Sequence, residues 1–385
     1  MIIGVHALGP LARDTGGRTY ITNFVKFGYL SPPESKVILF MSSGQYTFLP
    51  DLPPHFRIVQ VPFSHQHSFL RVLAEHLVLP ILILIKKIDV MYFPGNVSSF
   101  WTPVPYVLAI RSMLAYIEKQ NRSVDIIRQL YRSTLLPRAA SKAFSILTPS
   151  AHTKREIQEY LRIPPGQIHV VPHGIDHELF GYFDSAADGQ AILANKRIKK
   201  PYLLYVSALW KYKNHDLLID VFADLISEKK LPHQLVLVGQ GMNSYSETIS
   251  RLRQQIVSNN LENRVIFINF LPHSELCWIY KHADVFVFPS EIESFGNSLY
   301  EAMAAGTPVV CSDRHGFREM LGDSAALVDP HDRKAFGNLL WEVISDTRLR
   351  QDLIRKGSAL AAGLRWENSI LTVFSNLKMA CDERT

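Results

Sequence analysis

The chain is predicted to be α/β, with two doubly wound parallel-sheet domains, on three observations. Its 385 residues are more than one ordinary hydrophobic core organises. Short apolar, β-rich runs alternate with helical stretches, the pattern of parallel strands joined by crossover helices. The alternation fades after residue 178 and starts again near residue 201, so each half carries a sheet of its own.

In the first half, Met1 to Ala7 reads as a strand, followed by a loop to Thr15 and the pair Gly16-Gly17 before a helix to about Phe27. A glycine pair at a strand-helix junction lets backbone approach a phosphate or a partner domain closely, and turns demand glycine as well. Further strands are expected at Lys36 to Met41, Arg57 to Pro62, Asp89 to Phe93, Tyr106 to Ile110, Phe144 to Thr148 and His169 to Val171. A helix is expected from Ser150 through Leu161. Between Glu178 and Lys200 the periodicity is weak and Gly, Asp, Ala and Lys gather, which places an interdomain linker at 178–200. The second half reads as strand Tyr202 to Ser207, helix His215 to Ser227, strand Gln234 to Val238, helix Glu247 to Val257, strand Val265 to Asn269 and helix Ser274 to His282.

Composition is that of an ordinary globular protein, 47% hydrophobic and 20% charged, which excludes a disordered or low-complexity chain. Cys277, Cys311 and Cys381 show neither Cys-x-x-Cys nor Cys/His metal spacing and read as small hydrophobes of a reducing compartment, with no metal site. No signal peptide is read at the start, so the formal sequons at Asn96 and Asn121 are taken as coincidence and a cytoplasmic location is expected. Val72 to Ile85 is apolar but short and interrupted by Glu75, His76 and Pro80, which argues for a buried helix rather than a membrane span.

The net charge of +6 is uneven, with 18 Lys/Arg against 11 Asp/Glu in residues 1–178 and 23 against 24 in the remainder. The excess gathers between Arg111 and Arg162, where ten basic residues face four acidic ones. Such a face suits an anionic membrane surface or a phosphate-bearing acceptor, or is simply a solvated helical surface. Without a nucleic-acid motif or aromatic-basic interleaving, no nucleic-acid partner is expected.

The most informative stretch runs from Phe286 to Val310. Asp284 to Phe288 is a short β-rich run ended by Pro289, and Asn297 to Ala305 has helical composition stopped by Gly306 and Pro308 before the strand Val309 to Cys311. A helix therefore starts near Phe295 to Ser298 at the carboxyl end of a strand, where open α/β sheets bind ligands. Its free amides suit a phosphate, and Gly296 lets that phosphate come close. Glu293 and Glu301 flank this point, and eight positions of helix would span roughly 12 Å, comparable to a diphosphate with a hydroxyl-bearing ring at each end. A plainer reading also fits: Ser298-Leu-Tyr-Glu301 matches a capping box, with Glu301 capping its own helix and Glu293 a solvated loop acid.

Pro289, Ser290, Glu293, Phe295, Gly296, Glu301, Ala302, Met303, Ala304, Gly306, Pro308 and Val309 together match the signature in which two glutamates bracket seven residues. The segment thereby resembles the retaining family 4 glycosyltransferases of the GT-B fold. The resemblance implies two Rossmann-like domains facing across a cleft: an acceptor-side domain at 1–177, the linker at 178–200, a nucleotide-sugar domain at 201–365, and a helix at 366–385 that returns to the first domain. Val171-Pro-His-Gly-Ile-Asp176 is similar to the family segment that leads to the linker, with His173 as a positioning residue.

The same resemblance implies roles. Ser207-Ala-Leu-Trp-Lys-Tyr-Lys-Asn-His215 is similar to the segment whose arginine and lysine grip the donor diphosphate; Lys213 matches the lysine, whereas Ala208 stands in the arginine's place, so that either Lys211 substitutes or the donor is held differently. On the residues alone, both lysines are equally read as solvated. Donor contacts are expected from Gly16, Gly17, Lys211, Gly239, Gly241, Leu271, Phe295, Gly296, Asn297, Ser298 and Glu301, and catalytic roles for Glu293, Lys213 and Arg111. Arg111 follows the strand after which many family members carry a histidine; arginine stays protonated and suits an anion rather than a proton to be removed. The implied activity moves a hexose, with retention, from a nucleotide-sugar donor to a glycan or lipid-linked saccharide acceptor, without cofactor or metal, at the inner face of a membrane. The alternatives are an epimerase or phosphorylase of the same fold, or a non-catalytic glycan- or membrane-binding module.

Overall fold

Two all-parallel sheets carry the chain, and each is wound from its centre outward. The computed structural model describes residues 1–8, 16–42, 47–61, 73–96, 98–114, 134–181, 186–239 and 246–383. It divides into two units, Met1–Gly174 with Trp366–Thr385, and Ile175–Arg365.

In the first unit, β1 (Ile2–Ala7), β2 (Lys36–Ser42), β3 (Phe56–Val61), β4 (Val90–Phe93), β5 (Tyr106–Ala109), β6 (Ser145–Thr148) and β7 (Ile168–Val170) form a seven-stranded sheet in the order β3-β2-β1-β4-β5-β6-β7. β1 pairs with β2 from Ile2↔Lys36 to Ala7↔Met41, and with β4 through Ile3↔Val90. In the second unit, β8 (Tyr202–Val206), β9 (Gln234–Val238), β10 (Val265–Ile268), β11 (Val285–Phe288), β12 (Val309–Ser312) and β13 (Ala326–Val328) take the order β10-β9-β8-β11-β12-β13. Strands covered by helices on both faces have no side for water, and β4 and β11 are accordingly buried at every position.

The strand orders fix where a crevice opens in each unit. Each sheet reverses direction at its centre, between β1 and β4 in one unit and between β8 and β11 in the other. At such a reversal the following crossovers leave on opposite faces, which opens a crevice beyond the carboxyl ends of the two strands. In the second unit that crevice is bordered by the loop after β8, which carries Lys211 and Lys213, and the loop after β11, which carries Glu293 and Gly296.

Two expectations are corrected here. Residues 178–200 are not a spacer: they hold the helices His177–Gly181 and Ala186–Asn195, and Phe180, Leu193 and Ile198 are buried in the second core. The chain instead crosses between units at Gly174/Ile175 and Arg365/Trp366. Only a few apolar positions anchor the short helices, which is why their period is faint in the sequence. The run expected as a buried helix forms a π turn at Ala74–Val78 and a helix at Leu79–Ile85, yet only one face is buried, through Ala74, Leu79, Pro80 and Ile83. Leu77, Ile81, Leu84 and Ile85 are each more than half exposed. Among the described residues no helix is long and apolar enough to cross a membrane.

The last helix, Trp366–Asp382, packs its Ile370, Val373, Phe374 and Leu377 into the core beneath β4 and β5 of the first unit. Gly174 permits this return, because a Cβ there would lie 2.1 Å from the Trp366 backbone nitrogen. His173 stacks on Trp366, with ring centroids 5.8 Å apart and planes 15° apart.

Candidate functional site

The second unit gathers the sequence-predicted residues at its reversal point. Behind β8 the chain makes a single 3-10 turn, Lys211–Lys213, and enters the helix His215–Lys229 through Asn214 in a left-handed conformation at φ 51°. Asparagine tolerates that conformation better than most residues, since its short side chain satisfies nearby main chain. Here its amide nitrogen donates to the Pro289 carbonyl at 3.1 Å and to the Glu291 carboxylate at 3.0 Å. The Glu291 amide in turn donates to the Tyr212 carbonyl at 2.9 Å, and the buried Tyr205 hydroxyl donates to the Lys213 carbonyl at 2.8 Å. The loops after β8 and β11 are thus tied together before any ligand arrives.

Those ties hold an ion pair. Lys213, 6% exposed, places its Nζ against the Glu293 carboxylate, and the same Nζ lies 5.3 Å above the Phe288 ring and 5.2 Å from that of Tyr212. The His315 Nδ1–H donates to the Glu293 carbonyl at 2.9 Å, because a carbonyl only accepts. His315 adopts φ +46°, uncommon for a residue with a side chain. His215, fully packed beneath Lys213, has its imidazole pushed down to about 3, first by burial and then by the Lys213 charge, so it is neutral in the folded protein. Lys211 is exposed and makes the next cation along the rim.

Gly296 opens the helix Asn297–Ala304 at φ 80°, in the left-handed region that favours glycine. A Cβ there would come within 2.7 Å of Leu299 Cδ1, a side-chain end that can shift, so it is the conformation that requires glycine. No side chain caps this helix start, which excludes Glu301 as the partner of a capping box. Glu301 instead accepts from the Tyr280 hydroxyl at 3.0 Å and faces His273 Nε2 at 3.8 Å. Burial raises its carboxyl above the usual value, against the opposing pull of His273 and Tyr280. Asn297 and Ser298 occupy the first helical turn, where main-chain amides lack intrahelical acceptors.

Other expected positions have structural reasons of their own. Gly239 ends β9 against the Ser207 carbonyl, which a Cβ would approach to 2.0 Å. The Leu271 side chain is in the core, and Phe295 packs on Tyr300 with centroids 4.7 Å apart, so any ligand contact from either is through main chain. Gly241 lies outside the described residues.

In the first unit, Gly16 and Gly17 begin the helix Gly16–Lys26. Arg111, just beyond β5, donates from Nη2 to the Gly16 carbonyl at 2.8 Å and sets its guanidinium 4.6 Å from the Tyr20 ring centroid. Its Nε is buried without a hydrogen-bond partner among the described residues. Asn96 fixes the loop: its Oδ1 accepts from the Arg111 amide and its Nδ2 donates to the Ser112 carbonyl, both at 2.6 Å. The Asn96 side chain is therefore committed to the protein itself. Part of the basic stretch, 115–133, lies outside the described residues.

Sequence reading missed Asn214, Glu291, Tyr280, His273, His215 and His315 as parts of the site. Asn214 and His215 directly follow Lys213, and Glu291 lies two residues before Glu293, so these three had a local signal; Tyr280, His273 and His315 are joined to the site only by the fold.

Chemically, the second unit offers a buried ammonium beside a carboxylate, an uncapped helix start and a second, partly buried carboxylate, a set suited to an anion carrying hydroxylated rings. Known proteins agree in family and fold. A family model described as "Glycosyl transferases group 1" matches residues 192–359, and one described as "Glycosyltransferase Family 4" matches 34–179. The D-inositol 3-phosphate glycosyltransferase of Acidothermus cellulolyticus is 30% identical over 239 residues, 60% of this chain and 52% of that protein. The O-antigen chain mannosyltransferase B of Escherichia coli is 26% identical over 66% of this chain and 65% of its own. The chain spans about half the length of several curated relatives it matches. Among solved structures, sucrose-phosphate synthase from Thermosynechococcus elongatus superposes with a TM-score of 0.78 at 19% identity, covering all of both chains. Anabaena HepE in complex with UDP and glucose gives 0.74 at 18% identity, again over both whole chains. The fold is that of these GT-B proteins, and the chain belongs to the family 4 glycosyltransferases, the glycosyl transferases group 1.

Proposed function

We propose that this protein is a retaining glycosyltransferase that moves a hexose from a nucleoside-diphosphate sugar to a glycan or lipid-linked saccharide. The observation that carries the reading is the Lys213–Glu293 pair held beside the uncapped, glycine-started helix at Gly296. Mannose is the hexose we favour, on the support of the Escherichia coli and Salmonella typhimurium relatives named as O-antigen chain mannosyltransferases.

In this reading the bond from the sugar anomeric carbon to the diphosphate oxygen breaks as the acceptor oxygen bonds to the same face of that carbon. The acceptor proton passes to the departing diphosphate, whose growing charge is met by Lys213, Lys211 and the amides at Gly296 and Asn297. Those cationic groups stand where other enzymes use a divalent ion, so we propose transfer without metal. Glu293 orients the sugar hydroxyls and Glu301 accepts from the ribose diol. Arg111 with Gly16 and Gly17 is assigned to an anionic group of the acceptor or donor.

We also infer a peripheral position on an anionic bilayer, at the cytoplasmic face. Support comes from the exposed Leu77, Ile81, Leu84 and Ile85, which are followed by exposed Lys86 and Lys87. Replacing Ile81 and Ile85 by glutamate should abolish co-sedimentation with anionic vesicles and leave transfer to a soluble acceptor intact; undiminished sedimentation ends the membrane reading.

The transfer reading is tested by incubating the protein with a panel of nucleotide-sugars and lipid-linked or free saccharides in the presence of a chelator, and reading the product by NMR. An α-linked product from an α-linked donor is expected. An inverted product, or turnover that stops with chelation, contradicts the mechanism.

A further inference from the structure

The first unit holds a pocket of about 350 Å³ that contains none of the residues assigned to the transfer reaction. Tyr106, one of its lining residues, begins β5, whereas Arg111 follows the other end of that strand; the pocket therefore lies at the opposite strand end from the Arg111–Gly16 contact. Its walls include Phe100 and Trp101, 65% and 56% exposed, together with Arg138 and Lys142 from the helix Leu136–Lys142.

The hydrogen-bonding inventory is one-sided. The hydroxyls of Ser99, itself 5% exposed, and Thr102 are buried with no partner among the described residues. His76 Nδ1 accepts from the Phe100 amide at 2.8 Å, so the neutral ring carries its proton on Nε2 and presents a donor there. Burial lowers the His76 pKa, which keeps that neutral form. Arginine and lysine only donate, and the Tyr106 hydroxyl is already spent on the Ala139 carbonyl at 2.7 Å. No Asp or Glu is among the described residues lining the pocket.

Two cations, unmatched hydroxyls and no carboxylate complement an anion with several acceptor oxygens. The aromatic and aliphatic walls suit an apolar group joined to that anion. We propose that this pocket is a second binding site, taking a phosphate mono- or diester that bears an apolar group. The same chemistry is offered by a lipid headgroup in a bilayer and by a soluble phosphate ester. The site stands apart from the donor residues and does not depend on the transfer reading.

The test uses the full chain and two probes: phenyl phosphate, followed by calorimetry, and vesicles of phosphatidylglycerol with phosphatidylcholine, compared with phosphatidylcholine alone. Arg138 and Lys142 are exposed, so the double variant R138Q/K142Q should fold; its unfolding temperature checks this. Binding of at least one probe is expected, weakened about tenfold or more by the double substitution, with donor-dependent turnover unchanged. Ser99→Ala should also weaken binding while raising the unfolding temperature of the free protein, because a buried unpaired hydroxyl is removed. Phenyl phosphate binding without a preference for anionic vesicles identifies a soluble ester, and vesicle binding alone identifies a headgroup. Failure of both probes to bind, or binding by R138Q/K142Q equal to the unaltered chain, overturns the proposal.

Discussion

At the carboxyl ends of their strands the two units handle charge by different means. In the unit Ile175–Arg365, Lys213 and Glu293 face each other as opposite charges, and the loops that carry them are laced by Asn214, Glu291 and Tyr212. In the unit that contains β1, Arg111 has no acid opposite it among its described contacts. Its guanidinium rests on the Tyr20 ring and the Gly16 carbonyl, and Tyr20 itself shares a 2.5 Å hydrogen bond with Tyr92 and packs edge-on to Trp366. A cation already matched by a carboxylate can exchange that partner for a phosphate with little reorganisation. A cation held by a ring face and one carbonyl keeps donor capacity to spare, and its uncommitted Nε is part of that capacity. The second unit therefore holds a charge-matched pair on tied loops, as the proposed diphosphate site requires, while the first holds a cation with donor capacity left over.

The contrast makes Lys213→Ala the most damaging single change. It removes the cation assigned to the leaving diphosphate and strands Glu293, so kcat should fall about 10²- to 10³-fold in steady-state assays. An equal loss from Lys211→Ala alone would move the charge-bearing role to the rim and break the comparison.

Glu301→Gln comes next, because a hydrogen bond to a carboxylate is worth about 1.5–3 kcal/mol. Donor affinity should drop roughly ten- to a hundredfold by calorimetry. The raised carboxyl also gives a direction with pH. Since the ionised form accepts from a diol and burial favours the protonated form, affinity should decline on acidification earlier than for an ordinary carboxylate. The Gln variant should show no such decline.

His215 should tie stability to pH. The unfolded chain takes up a proton near 6.5, whereas the folded one resists until about 3, so stability is full above 6.5 and is lost on acidification at about 1.4 kcal/mol per unit. Chemical unfolding at pH 5 should thus be easier by about 2 kcal/mol than at pH 7 on this account. In Lys213→Ala the loss should level off at a higher pH, since the lysine's charge is part of what lowers the folded imidazole.

The smallest effect is expected at Arg111. Arg111→Met should lower stability by about 1 kcal/mol through the lost ring and carbonyl contacts. The acceptor KM should rise if the anion met by Arg111 belongs to the acceptor, and nucleoside-diphosphate affinity should fall if it belongs to the donor; finding neither change would end the assignment.

The fold was legible in the sequence where burial on both faces demands uninterrupted β-rich runs, as at Gln234–Val238 and Val285–Phe288. It was least legible where the apolar signal is sparse or uniform. The helices within 178–200 bury too few side chains to show a period, and the aliphatic run ending at Ile85 gives no sign of which face is left in water. At the site, Glu293, Gly296 and Glu301 were readable from local spacing, and Lys213 only through the family resemblance. Tyr280 on Glu301, Asn214 on Glu291 and His315 on the Glu293 carbonyl were not, because each joins segments that lie far apart in the chain.

The central claim is that Lys213, paired with Glu293, is the ammonium that receives a nucleoside diphosphate. Calorimetric titration of UDP and GDP into the unaltered chain and into Lys213→Ala tests it most directly. One of the two nucleotides should bind the unaltered protein, with affinity reduced at least about tenfold in the variant. Equal affinity in both proteins, or no binding of either nucleotide to the unaltered chain, would contradict the account.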